Sequence, residues 1–359
     1  MESEHVTSTP EDRGHLKELL AIGLIASVIG VALGLIIDWF PTQASEEGER
    51  IDTLWDVLVI VSVPIFVLVI VVVLYSVWRF HMKPGEEELD GPPIHGNTRL
   101  EIIWTAIPAI ILVALCSYSY VVLTDIEKAD ANALQVRVVG EQFTWTFFYK
   151  DESGKEFGSP QLYVPRGRQV NFTVQSRDVI HDFWVPAFRL KIDAVRGIDT
   201  HVRITPKTLG QYPVVCAELC GLGHAVMRQT AHVVEPQEFS QWVSQRGEQA
   251  AGGEEGGEGA QDGDTGGQAA APDGKTIFTD SGCGGCHALS DAGTTGGTGP
   301  NLDDVLADKD PAFIEKSIVD PDAEIAEGFS AGLMPKVYGD QLTPPELEGL
   351  VKYLDEVTG

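Results

Sequence analysis

Apolar positions crowd into the first third of the chain. Three nearly uncharged runs stand there, residues 19–37, 57–78 and 102–123. Each is close to the ~20 residues that a helix needs to cross a bilayer, so the pattern predicts three membrane helices. Pro64 and Pro108 fall inside the second and third runs, which membrane helices tolerate. The first run could instead be a secretory leader, since Thr42-Gln-Ala44 weakly resembles a cleavage site. Its length exceeds the ~7–15 apolar residues of a leader, which favours a retained helix. From Leu134 the pattern changes to short alternating runs: 134–139, 169–174, 201–204, 211–215 and 230–234, punctuated by Gly and Pro. That spacing predicts a small all-β sandwich or barrel. Residues 246–272 hold Gly, Ala, Gln and acids with almost nothing that could pack, and read as a flexible linker. Beyond it, residues 275–279 and the amphipathic stretch 347–357, entered through Pro344 and Pro345, predict helices. The expected organisation is a tail and first span (1–53), a two-helix membrane hairpin (54–124), an all-β domain (125–245), a linker (246–272) and an all-α domain (273–359).

Charge refines this picture. The net charge is −28, but residues 125–245 carry 13 Lys+Arg against 14 acids, whereas residues 273–359 carry 5 Lys against 17 acids. Such a balance lacks the basic footprint that nucleic-acid binding needs. It predicts that the acidic C-terminal domain docks on the arginine-bearing face of the β domain. A flexible linker of about 27 residues spans roughly 25–30 Å and would leave that pose unfixed. Arg79, Lys83 and Arg99 between the second and third runs, against Arg50 alone among the acids of 41–53, place 79–99 in the cytoplasm by the positive-inside rule. The N-terminus is then inside and the long C-terminal part outside.

Two motifs carry chemistry. Cys216-Ala-Glu-Leu-Cys220-Gly-Leu-Gly-His224-Ala-Val-Met227 sets two thiols, an imidazole and a thioether within twelve residues, and His181 stands upstream in His-Asp-Phe-Trp-Val-Pro. Soft sulfur with imidazole selects copper over hard cations. The set has one sulfur too many for a four-coordinate zinc cage and suits two coppers sharing both thiolates. A disulfide, a two-Cys two-His zinc site and a thioredoxin-like copper-delivery site are alternatives, although none accounts for Met227 together with three membrane runs. The second motif, Cys283-Gly-Gly-Cys286-His287, is a C-x-x-C-H haem attachment site. Met334 in Gly-Leu-Met-Pro offers a distal thioether, and a Met/His pair suits electron transfer. These motifs absorb four of the five cysteines. Cys116, inside the third run, reads as packing.

The loop C-x-E-x-C-x-x-x-H-x-x-M with its upstream histidine resembles the binuclear copper (CuA) loop of cytochrome c oxidase subunit II, and the C-terminal motif resembles a fused cytochrome c. The resemblance implies a cupredoxin fold for the β domain and a class I cytochrome c domain after it. It implies that Cys216 and Cys220 bridge two coppers, that His181 and His224 each bind one, that Met227 is a weak axial ligand and that Glu218 gives its backbone carbonyl. The Glu218 side chain would face a magnesium site shared with subunit I. Gly299-Pro-Asn-Leu302 resembles the turn whose proline carbonyl orients the haem histidine.

Other residues take roles from the same resemblance. In the strand around Phe143 and Trp145, which would carry electrons inward, the family's exposed first aromatic is usually Trp and is Phe143 here. Trp145 matches the second. Glu101 matches a glutamate at the cytoplasmic mouth of a proton channel; the bland reading is a helix-terminal acid. Asp193 matches an acid near the magnesium region, but Arg196 stands where proline is usual. The implied function is electron entry to a respiratory haem–copper oxidase of a bacterial membrane. Its partners would be subunits I and III and an upstream donor such as a quinol–cytochrome c reductase or a small cytochrome. A nitric oxide reductase using the same copper port and a membrane-anchored copper-delivery protein are the alternatives.

Overall fold

The computed structural model describes residues 10–82, 84–85, 96–252 and 273–359. Lys83, used in reading orientation, and linker residues 253–272 lie outside the described residues. The chain divides into two compact units, Met1–Trp39 with Arg50–Ile126, and Phe40–Glu49 with Glu127–Gly359.

The first unit is built on three helices, α1 (Pro10–Ile36), α2 (Glu46–Phe80) and α3 (Thr98–Ile126), each long and apolar enough to cross a membrane. Their side chains are inverted relative to a water-soluble bundle: Leu24 is 67% exposed and Ile110 68%. Contact between α1 and α2 relies on small residues. A Cβ added at Gly30 would lie 2.8 Å from Val63 Cγ1, and one at Gly34 2.6 Å from Val59 Cγ1, so glycine lets the two backbones close in. The helices overrun the apolar runs at their ends because hydropathy marks only the stretch that lipid would cover. At the start of α3, Glu101 Oε1 accepts from Asn97 N (3.1 Å) and Asn97 Oδ1 accepts from Leu100 N (3.2 Å). Both satisfy amides that a helix start leaves open.

The second unit contains two five-stranded sheets. One has the order β3-β2-β1-β5-β8 and the other β4-β10-β9-β6-β7. In chain order the strands are β1 (Leu134–Glu141), β2 (Thr144–Lys150), β3 (Glu156–Ser159), β4 (Leu162–Pro165), β5 (Val170–Ser176), β6 (His181–Trp184), β7 (Lys191–Ala194), β8 (Thr200–Ile204), β9 (Gly210–Cys216) and β10 (Arg228–Val234). Pairing is antiparallel except for β1 with β5 and β4 with β10. Alternation sorts β5 cleanly: Val170, Phe172 and Val174 are buried while the residues between them are half-buried. The core also takes Val138, Trp145, Phe147 and Phe183. This is the cupredoxin-like sandwich expected from the sequence.

After β10, α4 (Pro236–Gly252) packs Phe239 and Trp242 onto Tyr149. It continues past residue 245 into the stretch read as linker. Gln, Glu and Ala there are good helix formers, and Arg246 is buried and bonded. Five helices follow: α5 (Gly274–Asp280), α6 (Leu302–Val305), α7 (Pro311–Val319), α8 (Tyr338–Gln341) and α9 (Pro344–Thr358). A reciprocal capping box of Thr343 with Glu346 starts α9. The helices enclose a second core around Phe278, Leu289, Ile314 and Leu350.

The all-α domain is seated on the sandwich, which corrects the expectation of an unfixed pose. Arg246 ion-pairs with Glu346 and its Nη2 donates to Gln341 O (2.6 Å). Gln341 Nε2 in turn donates to Thr146 Oγ1 (2.8 Å) and more weakly to Trp145 O (3.3 Å). Arg177 bridges Glu141 (2.9 Å) and Asp340 (3.2 Å). A Cβ at Gly158 would overlap Asp340 O, so β3 admits the other domain's backbone closely. Asp340 of the C-terminal domain meets Arg177 of the β domain, as the charge distribution implied, while Glu346 pairs with Arg246 from the stretch read as linker.

Candidate metal centre

Strand geometry gathers the sulfur and imidazole donors. β9 ends at Cys216, where Phe183 of β6 is its partner, and His181 opens β6. The chain leaves the sheet at Cys216 and re-enters at Arg228, opposite Val215. The loop is closed at its neck by Cys216 N donating to Met227 O (3.2 Å). Ala217 N donates to Asp182 O (3.0 Å), which ties the loop to β6. Inside it, Cys216 Sγ lies 3.9 Å from Cys220 Sγ and 3.9 Å from His181 Nδ1. Cys220 Sγ lies 3.6 Å from His224 Nδ1 and 3.8 Å from Met227 Sδ. The Glu218 carbonyl faces Cys216 Sγ at 3.2 Å while its side chain is exposed. All six residues read as copper ligands therefore meet in one place. The cysteines are free and far beyond the ~2.05 Å of a disulfide.

Two residues that sequence reading passed over support the cluster. Asp178 Oδ1 lies 2.8 Å from His181 Nε2 and its other oxygen accepts from Gln142 N (2.8 Å). This fixes the fully buried imidazole with Nδ1 toward Cys216, the usual arrangement behind a metal-binding histidine. Gln142 Nε2 donates to Cys220 O (2.6 Å). Burial raises the Cys216 thiol, but hydrogen bonds with His181 and with backbone at Asp182 and Glu218 outweigh it and bring it down to about 7. Burial and the neighbouring Cys216 charge push Cys220 up to about 12. A bound cation would have to displace that second proton, as thiolate-binding metals do. The donor set fits copper.

Phe143 lies beneath the loop. A Cβ at Gly221 would come within 3.1 Å of its ring and one at Gly223 would overlap it, so the two loop glycines make room for the aromatic. The resemblance led to an exposed aromatic, yet Phe143 is only 8% exposed: the loop glycines pack on its ring, and it also lines the cavity of the C-terminal domain. Trp145 is fully buried, with ring centroids 5.8 Å from His181 and 5.6 Å from Phe183. Glu101 belongs to the membrane unit, and Asp193 pairs with Asp182 in the β6–β7 ladder.

The second site lies in the all-α domain. His287 N donates to Cys283 O (2.9 Å), which folds the C-x-x-C-H segment into a tight turn. His287 Nδ1 donates to Pro300 O (2.9 Å), leaving Nε2 free as a ligand. Burial holds this imidazole below its ordinary range, against the opposing Pro300 bond, so it stays neutral. A Cβ at Gly299 would sit 2.7 Å from His287 Cε1, hence the glycine before Pro300. Cys283, Cys286, His287 and Met334 line one cavity of about 450 Å³, within the range of cofactor sites. Two thiols, a neutral imidazole and a thioether around a mostly apolar cavity fit a haem.

Taken together these parts define a membrane-anchored electron carrier: a cupredoxin-like copper domain with a cytochrome c domain behind it. Three families match in succession: Cytochrome C oxidase subunit II, transmembrane domain, over residues 30–122; its periplasmic domain over 158–234; and Cytochrome c over 271–358. Cytochrome c oxidase subunit 2 of Synechocystis sp. is 31% identical over 272 residues, 63% of this chain and 81% of that protein. The subunit 2 of Alkalihalophilus pseudofirmus is 31% identical over 311 residues, 83% of either chain. The periplasmic domain of subunit II of the Bradyrhizobium japonicum cytochrome oxidase is 32% identical, covering 34% of this chain and 97% of that one, with a TM-score of 0.32. The chain belongs to the cytochrome c oxidase subunit 2 family. Membership implies copper in the β domain, haem in the C-terminal domain and association with other subunits of an oxidase.

Proposed function

We propose that this chain is the electron-entry subunit of a bacterial haem–copper oxidase, with a binuclear CuA centre in its loop and a covalently attached haem c in its C-terminal domain. Cys216 and Cys220 would bridge the copper pair, His181 and His224 would each bind one metal, and Met227 and the Glu218 carbonyl would complete the site. Cys283 and Cys286 would anchor the haem, with His287 and Met334 as axial ligands. When bound, the two centres supply one-electron storage with little structural change. The protein holds the donors in place beforehand: Asp178 fixes His181 and Pro300 fixes His287. Electrons would come from a quinol–cytochrome c reductase or a small cytochrome, pass from the haem domain to the copper loop past Phe143 and Trp145, and leave for subunit I. Oxygen is reduced there, with subunit III also bound. The copper and haem domains would lie on the extracytoplasmic side, with the Glu218 side chain on a magnesium site shared with subunit I and Glu101 at a cytoplasmic proton entry. The meeting of His181, Cys216 and Cys220, whose donor atoms lie within 4.8 Å of one another, carries this reading. Cys216→Ser is expected to abolish the mixed-valence copper EPR signal and leave the haem spectrum intact. A retained signal contradicts the ligand assignment.

A further inference from the structure

The cavity around His287 is not closed by its own domain. Phe143, Thr144, Val226, Arg228 and Gln229, all from the β domain, form part of its lining. The approach is close at the attachment turn itself. A Cβ at Gly285, between the two thiols, would lie 3.6 Å from Val226 Cβ, and one at Gly282 would lie 3.7 Å from Arg228 O. The bonds that hold this wall in place are elsewhere. Arg246 with Glu346, Gln341 with Thr146, Arg177 with Asp340 and Gln161 with the Asp280 carbonyl join the domains through residues that do not line the cavity.

We propose that the copper domain is part of the haem site, and that docking raises the haem's reduction potential above that of the same domain released. The oxidised iron carries one more positive charge than the reduced iron. Replacing water at the Cys283–Cys286 side by Phe143 and Val226 removes solvation that the more charged form needs more. Arg228, whose Nε donates to Ala225 O (3.1 Å), adds a positive charge to this wall that acts in the same direction by repelling the oxidised form. Asp322, Glu324 and Glu327 also line the cavity, but they belong to the haem domain and are present docked or released. They set the baseline and not the difference.

This inference rests on the haem reading of Cys283, Cys286 and His287. If that reading fails, the purified chain shows no covalent haem band at all. If only the present inference fails, the haem is bound and its potential does not respond to docking. The test uses the full chain in its complex, with Arg246→Glu on the copper domain and Gln341→Glu on the haem domain. Each variant is followed by hydrogen exchange at residues 338–341 and by redox titration of the haem band. Faster exchange together with a fall of about tenfold in the reduction equilibrium constant, 59 mV for one electron, is the expected result. Faster exchange with an unmoved or raised potential overturns the proposal. Undiminished protection in both variants overturns it too, because the wall would then not depend on those bonds. Arg228→Gln leaves all of these joining contacts in place and serves if the others fail to assemble: a lowered potential with the copper signal retained supports the proposal, and an unchanged one contradicts it.

Discussion

Asp178 shows how much of a site can lie in a residue that carries no motif. Its carboxylate touches no donor sulfur, yet it decides which nitrogen of His181 faces Cys216. Removing such a partner typically costs about 10–100-fold in metal affinity. Asp178→Ala is therefore expected to lower copper retention by that order in a chelator competition, with the circular dichroism of the sheet unchanged; full retention would show that loop packing alone orients the ring. The sequence displayed the soft donors plainly, since two cysteines, a histidine and a methionine in one loop are rare by chance. It did not display Asp178, because an acid three residues before a histidine looks like any surface acid. Phe143 was read in the wrong environment for a different reason. Its ring is packed by Gly221 and Gly223 of the copper loop, far along the chain from it, which local pattern does not encode.

At the level of elements, alternation exposed β1, β5, β8, β9 and β10, the longer strands with one face inward. β3, β4, β6 and β7 are four residues each, too short to establish a period. β2 is buried at all but its last position. One face meets the sandwich core, while Thr144 bonds Gln229 and Thr146 bonds Gln341 on the other. Helix α4 was not read from the sequence at all, and its extension into the stretch read as linker is held by Arg246, a contact invisible in composition. The Gly299-Pro300 turn is an element whose role the structure makes specific. Gly299→Ala would press a methyl against the His287 ring and turn it from Pro300 O. The expected outcome is a reduced haem-to-protein ratio in purified material with the copper signal unaffected; an undiminished ratio would show that the turn can shift aside.

For the molecule as a whole, hydropathy and two motifs were enough to read membrane helices, a β domain and a haem-type domain in that order. The docked pose was not legible, because it depends on side chains far apart in sequence: Arg246 with Glu346, Gln341 with Thr146. Deleting residues 273–359 is expected to leave an oxidase that needs added cytochrome; full turnover without any added donor would contradict the proposed route.

Arg246 is 8% exposed, and this has a kinetic consequence. Dissolved ions weaken attraction between exposed charges but hardly reach a buried pair. A carrier that arrives by collision is slowed by dilution and by salt alike. On the proposed route, the last handover before the copper loop is expected to be a first-order event, indifferent to both, with one electron kept in hand between encounters with the supplier.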